Sequence, residues 1–369
     1  MDAEKVAFIA HPVDLGIFRS YIHSLRPDKQ YDDRLLVKLF EWTPPYAVKQ
    51  FSALSLDGHR AVDARLYMVP FLPEMQAISV KKVIDKIDKA LSLAKTHGCT
   101  VAAMGGFTSI VLQNLEEDFS RKHGIRITSG NTLTAAIIIR SIEEIAGRFG
   151  VDLSSSTMAV IGASGDIGSA CMGYFSRMVK KMYLTARSIP TLAEMVRRCR
   201  DCASAEMVIT DNNIEAVEQS DICIFVTSAY VSLFTEKDFR PGTIVCDASA
   251  PPNVKLDTSL RDDVFIYHGG IATIPFPLEV DFDIGLASPL TFYGCQLEGL
   301  FLGLHPELPC SWGRGNITRE RLARFLTLMD RYPSMRPVYT LGNICYNEAH
   351  IDAYARRWRY RHPVSVPCG

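Results

Sequence analysis

The segment Val160-Ile-Gly-Ala-Ser-Gly-Asp-Ile-Gly168 constrains this chain more than any other. An apolar run precedes it and a helix-length stretch follows, so Gly162, Gly165 and Gly168 fall where a strand turns into a helix. Glycine permits a tight turn and lets an anion approach the backbone. The start of the following helix then offers free N–H groups and the positive end of its dipole to a diphosphate. The G-x-x-G-x-x-G spacing is a close relative of G-x-G-x-x-G, and it makes Gly162, Ala163, Ser164, Gly165, Asp166, Ile167 and Gly168 a candidate cofactor cradle. Glycines also serve plain turns, so the surrounding pattern has to decide.

That pattern is a series of short apolar runs separated by helical stretches. Strands are expected at Met158–Gly162, Met182–Thr185, Met207–Thr210, Ile222–Thr227, Thr243–Cys246 and Val264–Tyr267, with helices such as Ile167–Val179 and Thr191–Cys199 between the earlier ones. Near-continuous apolar runs suit strands buried on both faces, as in a parallel sheet covered by helices. Six of them fit the two halves of a Rossmann-type domain.

Upstream, Val6–Ala10, Ala64–Val69 and Thr100–Met104 read as strands. Val80–His97 is an amphipathic helix with Val83, Ile84, Ile87, Ala90, Leu91 and Ala94 on one face, and Thr132–Phe149 is a second long helix. The polar run from Asp152 to Thr157 marks a boundary. After Gly270 the regularity fades, and helices are expected at Phe292–Leu304, Thr318–Asp330 and Asn343–Arg356. The expected organisation is α/β: an N-terminal α/β substrate domain over 1–155, a Rossmann-type NADP-binding domain over 156–280, and a C-terminal helical segment over 281–369.

The second strand bears on the choice of dinucleotide. An NAD site would place Asp or Glu near its end for the ribose 2′-hydroxyl, whereas this chain has Leu184-Thr-Ala-Arg-Ser188. Arg187 is suited to a 2′-phosphate, which favours NADPH, although a solvated surface arginine gives the same pattern. Thr227 and Ser228, at the end of the fourth strand, would border the ribose and nicotinamide, because ligands bind at strand carboxyl ends.

Of the ten cysteines, Cys295 stands apart. In Thr291-Phe-Tyr-Gly-Cys-Gln-Leu-Glu298 the chain enters a helix after Pro289, and a thiol in a first helical turn has its thiolate favoured by the dipole. The apolar helix beyond it (Leu297, Leu300, Phe301, Leu302, Leu304) could line a pocket for a greasy substrate. The bland alternative is a buried cysteine that simply packs. Thr128-Ser-Gly-Asn-Thr-Leu-Thr134 clusters hydroxyls and an amide before a helix, making Asn131 and Thr132 candidates for an oxyanion or cofactor cradle, or for helix caps. His268 ends the last strand, where it could act as an acid or serve structure. Cys199 and Cys202 form the single C-x-x-C, with no second Cys or His pair nearby, so no metal site is expected.

Composition narrows the partners. With 40 Lys+Arg against 41 Asp+Glu, nothing points to nucleic acid. The start MDAEKVAFIAHP lacks the basic-then-apolar signature of a signal peptide, and no stretch reaches the ~20 apolar residues of a membrane span. Reduced thiols in a cytoplasmic setting are therefore expected.

Several stretches, in this order, resemble the long-chain acyl-[acyl-carrier-protein] reductases of cyanobacteria, which form fatty aldehydes. They are Phe71-Leu-Pro-Glu-Met75, Met104-Gly-Gly-Phe-Thr-Ser-Ile-Val111, Thr128-Ser-Gly-Asn-Thr-Leu-Thr-Ala135, Gly162-Ala-Ser-Gly-Asp-Ile-Gly-Ser-Ala170, Gly269-Gly-Ile271, Gly294-Cys295 and Ser311-Trp-Gly-Arg314. The resemblance covers roughly residues 5–325. It implies Cys295 as an acyl-accepting nucleophile, the 162–168 loop as the NADPH site, and an acyl tunnel shaped by the flanking regions. His268 departs from it, standing where the family pattern has a lysine.

The implied reaction is reduction of a long-chain acyl thioester, on acyl-carrier protein or coenzyme A, to an aldehyde that a partner enzyme could consume. The basic aromatic run Ala355-Arg-Arg-Trp-Arg-Tyr-Arg361 is a solvated helix end, or a contact for an acidic carrier or membrane surface. Two rivals stand beside this reading: an NADP-linked dehydrogenase of a small polar alcohol or ketone with no covalent intermediate, and a non-catalytic NADPH-binding protein.

Overall fold

The computed structural model describes residues 3–12, 15–16, 19, 22–23, 26–54, 60–72, 79–229, 234–255, 261–274, 290–313, 315–342 and 344–361. Pro73–Met75, Pro289, Arg314 and Asn343, which the sequence reading invoked, lie outside the described residues. The chain divides into two compact units. The first holds the described residues up to Gly130 together with Cys295–Gly313, and the second holds the rest.

A five-stranded sheet carries the first unit. Its strands are β1 (Glu4–Ala10), β2 (Tyr46–Leu54), β3 (Ala61–Met68), β4 (Val101–Met104) and β5 (Arg126–Thr128), in the order β2-β3-β1-β4-β5. All pairings are parallel except that of the edge strand β2. Alternation along β1 sorts the two faces. Ala7 and Ile9 join Val83, Ile87, Ala90 and Leu91 of the helix Val80–Thr96 in one core cluster. Val6 approaches the helix Gly294–Leu304, where a Cβ added at Gly299 would lie 2.7 Å from Ala103 Cβ and one at Gly303 only 2.9 Å from Val6 Cγ2. These two glycines let the helix settle onto the sheet. Leu297, Leu300, Phe301, Leu302 and Leu304 are consequently exposed by 1% or less and form core. Arg60 Nη1 donates to Leu304 O at 3.0 Å and Arg126 Nη1 to Leu302 O at 3.4 Å, which sets cations at the carbonyl end of that helix.

The second unit is built on an eight-stranded sheet. Its strands in chain order include β6 (Thr157–Ile161), β7 (Lys181–Thr185), β8 (Glu206–Ile209) and β9 (Ile222–Phe225). After a short β10 (Phe234–Thr235) come β11 (Ile244–Asp247), β12 (Val254–Lys255), β13 (Phe265–His268), β14 (Ile271–Thr273), β15 (Thr291–Tyr293), β16 (Thr340–Leu341) and β17 (Ile344–Cys345). The sheet runs β17-β16-β13-β11-β9-β6-β7-β8. From β8 to β13 every pairing is parallel, in the doubly wound order that reverses direction between β6 and β9. The six expected strands are therefore present as a Rossmann-type sheet, and β16 and β17 extend one edge in the antiparallel sense.

Two expectations shift. Phe292 lies not in a helix but in β15, paired with β14, and the helix starts at Gly294. The last helix is Glu348–Arg361, beginning later than its apolar spacing suggested. In it Ala355 and Trp358 are buried, Trp358 against Phe149 at 5.0 Å between ring centroids, while Arg356 and Arg357 face solvent. Among the described residues, no helix is long and apolar enough to cross a membrane, and no group of three His, Cys, Asp or Glu is placed to hold a metal.

Candidate functional site

The glycine turn leaves β6 at Ile161. The N–H groups of Gly162 and Ala163 both donate to Thr185 O, at 3.1 and 2.9 Å, so the turn is tied to the end of β7 before the helix Asp166–Phe175 begins. Gly162 has φ +94°, and an added Cβ would lie 2.7 Å from Val226 O. A Cβ on Gly168 would collide with the carbonyl of Gly162. The chain's own packing demands both of these glycines. Gly165 is different: its φ is −75° and the nearest atom to an added Cβ is 3.4 Å away. Nothing in the chain requires a glycine there. A diphosphate lying against the turn would, so the cradle fits a dinucleotide. Ser164, Gly165, Asp166 and Ile167 keep part of their surface exposed, and Asp166 accepts from Gly315 N at 2.9 Å and from Asn131 Nδ2 at 3.3 Å.

Beyond β7, Arg187 is exposed. Ser188 caps the helix Ile189–Cys199, its Oγ lying 2.7 Å from Thr191 Oγ1, so Thr191 adds a hydroxyl that the sequence reading did not weigh. Thr227 and Ser228 follow β9, both half-buried. Asn131 and Thr132 open the helix Asn131–Phe149, with Thr132 buried. His268 is a strut. Its Nε2 accepts from Gly342 N at 3.3 Å, its ring also bonds the Asp247 backbone, and burial lowers its pKa.

In the first unit, Cys295 occupies the first turn of the helix Gly294–Leu304. Its sulfur accepts from the backbone N–H groups of Gln296 and Gly106. Gly130 crosses so close that a Cβ there would overlap Cys295 Cα. Cys295 as a residue is half-buried. The first-turn donors favour the thiolate, but desolvation around the sulfur outweighs them and pushes the thiol up to about 11, with the Glu298 carboxylate adding to the rise. Glu298 is fully buried and takes a hydrogen bond from Thr128 Oγ1, which itself accepts from Gly130 N at 3.2 Å and Ser311 N at 3.0 Å.

His11 is a residue that sequence reasoning missed. Its Nδ1 bonds Pro12 O at 2.8 Å, so Nε2 is free to accept from Phe107 N at 2.9 Å. It thereby holds the turn carrying Gly106, whose φ is +58° and whose added Cβ would lie 2.8 Å from His11 Nε2. The available signal was its position just past the carboxyl end of β1.

With a thiol pKa near 11, the iodoacetamide alkylation rate of Cys295 in the native protein should climb about tenfold per pH unit from roughly pH 7.5 to 9.5. Glu298→Gln, which removes a neighbouring negative charge, should move that profile to lower pH. A rate that has already levelled off at about pH 8 would contradict the burial argument.

No family model matches the chain. It is 27% identical over 332 residues to the long-chain acyl-[acyl-carrier-protein] reductase of Synechococcus elongatus, spanning 85% of this chain and 93% of that protein. A 20% identity over 307 residues links it to the aminotransferase PigE of a Serratia species; that match spans 81% of this chain but only 36% of PigE. Among solved structures, a transhydrogenase from Sinorhizobium meliloti overlays 71% of the chain and 77% of its own at 11% identity with a TM-score of 0.35. The nucleotide-binding domain of glutamyl-tRNA reductase from Thermoplasma volcanium overlays 36% of the chain and 84% of its own at 20% identity and 0.27. These overlays are too shallow to add to the sheet topology. The relationship to the Synechococcus reductase is distant, and it runs through nearly the whole of both chains.

Proposed function

We propose that this protein uses NADPH to reduce a long-chain fatty acyl thioester, carried on acyl-carrier protein or coenzyme A, to a fatty aldehyde through an acyl-enzyme on Cys295. The end-to-end similarity to a protein named a long-chain acyl-[acyl-carrier-protein] reductase carries the reading. The Rossmann-type sheet and a glycine at 165 that the chain's own packing does not require support it.

In this reading Cys295 gives up its proton and its thiolate attacks the thioester carbonyl. The tetrahedral adduct collapses with loss of the carrier thiolate, which takes up a proton, and the acyl group stays on Cys295 sulfur. Backbone N–H groups of Gln296 and Gly106 hold the attacking sulfur, and Asn131 and Thr132 are the proposed oxyanion donors. A reduced nicotinamide held at the 162–168 turn would supply the hydride taken up by the acyl carbon. From the tetrahedral oxyanion so formed Cys295 leaves as thiolate, and the aldehyde is released. Intact-mass detection of an acyl adduct on Cys295, formed from an acyl thioester without cofactor, separates this route from a dehydrogenase that forms no covalent intermediate. Oxidation of NADPH by no member of a broad panel of acyl thioesters would favour a non-catalytic binder instead.

The preference for NADPH over NADH rests on Arg187, exposed just beyond the end of β7. Arg187→Glu should weaken NADPH about 100-fold, since a bidentate phosphate contact is lost and a like charge is gained, while NADH changes less than about threefold. Equal losses for the two cofactors would remove Arg187 from the 2′-phosphate site.

A further inference from the structure

The end of β11 carries a buried hydrogen-bond hub. Asp247 is 2% exposed, and its carboxylate accepts from Ser249 N at 3.1 Å, Asn253 N at 2.7 Å and Val254 N at 2.9 Å. The chain from 247 to 254 is thus wrapped around one carboxylate. Two side chains on this wrap reach the segment that follows β9. Ser249 Oγ accepts from Thr227 N at 3.1 Å, and Asn253 Oδ1 accepts from Thr227 Oγ1 at 2.6 Å. Asn253 Nδ2 donates to Ala229 O at 3.4 Å, and Thr227 Oγ1 accepts from Ala229 N at 3.1 Å. Asn253 is fully buried. The segment also lies against the glycine turn, where a Cβ on Gly162 would come within 3.2 Å of Thr227 Cγ2.

We infer that Asp247, Ser249 and Asn253 are positioning residues for the nicotinamide–ribose half of the dinucleotide, acting through Thr227–Ala229 and leaving the adenosine half to the far side of the turn. The inference rests on the cofactor reading above. Its physical basis is that β9 opens the second half of the sheet, at the topological switch point, where the nicotinamide end of a dinucleotide lies. A binding segment whose backbone and hydroxyl are tied to buried side chains loses little entropy when a ligand arrives. Cutting those ties should weaken only the half of the ligand that the segment touches.

The test compares two ligands on the full-length protein by titration calorimetry: NADPH, and adenosine 2′,5′-bisphosphate, which carries the adenine half alone. Ser249→Ala removes the acceptor for Thr227 N–H, and Asn253→Asp keeps the acceptor for Thr227 Oγ1 but deletes the amide donor to Ala229 O. Each should weaken NADPH about tenfold and leave adenosine 2′,5′-bisphosphate within about twofold. Unchanged adenosine bisphosphate binding also certifies that the variant is folded; should the Asn253 variant not fold, Ser249→Ala decides. Equal weakening of both ligands, or of neither, overturns the inference. Wild-type protein that binds neither ligand overturns the cofactor reading itself, which is a distinguishable result.

Discussion

Cys295→Ala protein is expected to form no aldehyde from any acyl thioester, with a fall in turnover on the order of 10⁴-fold or more, while binding NADPH within about twofold of wild type. The split follows from where the residue sits. Its sulfur sits in the first turn of the helix Gly294–Leu304, whereas the glycine turn is fixed by its own bonds to Thr185 O, so deleting one atom touches the proposed chemistry and leaves the cradle's bonds in place. Alanine adds no volume beside Gly130 and asks nothing new of the fold. Aldehyde quantified by gas chromatography, alongside a cofactor titration, reads both halves of the expectation. Wild-type activity in this variant would end covalent catalysis at Cys295, even if NADPH still bound.

The second large effect separates cofactor binding from folding. Gly165→Ala should leave the melting temperature nearly unchanged and yet weaken NADPH by about 100-fold, roughly 3 kcal/mol. The backbone at Gly165 suits any residue and the nearest neighbour of a new methyl is 3.4 Å away, so the free protein accepts the change. A diphosphate pressed against the turn cannot. Gly168→Ala is the contrasting case: its methyl collides with the carbonyl of Gly162, a backbone atom that cannot swing away. It should cost about 2 kcal/mol of stability as well as the cofactor. Thermal melts paired with NADPH titrations check the pair. If Gly165→Ala binds NADPH normally, the turn is not a diphosphate cradle.

How much of this was legible beforehand depends on the range of the forces involved. The six parallel strands could be read because each is a short, mostly apolar run, buried throughout in β9 and β11 and only half-buried at the edge strand β8, and the glycine spacing marked where the first of them turns into a helix. β2 was not expected: it is an edge strand with Val48 exposed and a register break between Ala47 and Gln50, so its alternation is broken. β15 was absorbed into the helix behind it, because three residues that pair across to β14 carry no period of their own. At Asn131 the sequence favours the cap reading by default, because Asn is a preferred N-cap residue, while a cradle needs the same polar side chain and so leaves no separate mark.

Cys295 shows the division most clearly. The sequence by itself determined that a cysteine would stand in the first turn of an apolar helix, and with that the dipole and the backbone donors that favour a thiolate. It equally determined the glycine turn, because backbone conformation follows from residues within a few positions of one another. Only the tertiary structure decided that burial prevails and holds the thiol near 11. The Gly106 backbone, in a turn held by His11, bears on that sulfur from a distant part of the chain, and Glu298 bears on it from the next turn of the same helix. Desolvation is a sum over whatever folding gathers around an atom, so it has no signature at any one place in the sequence.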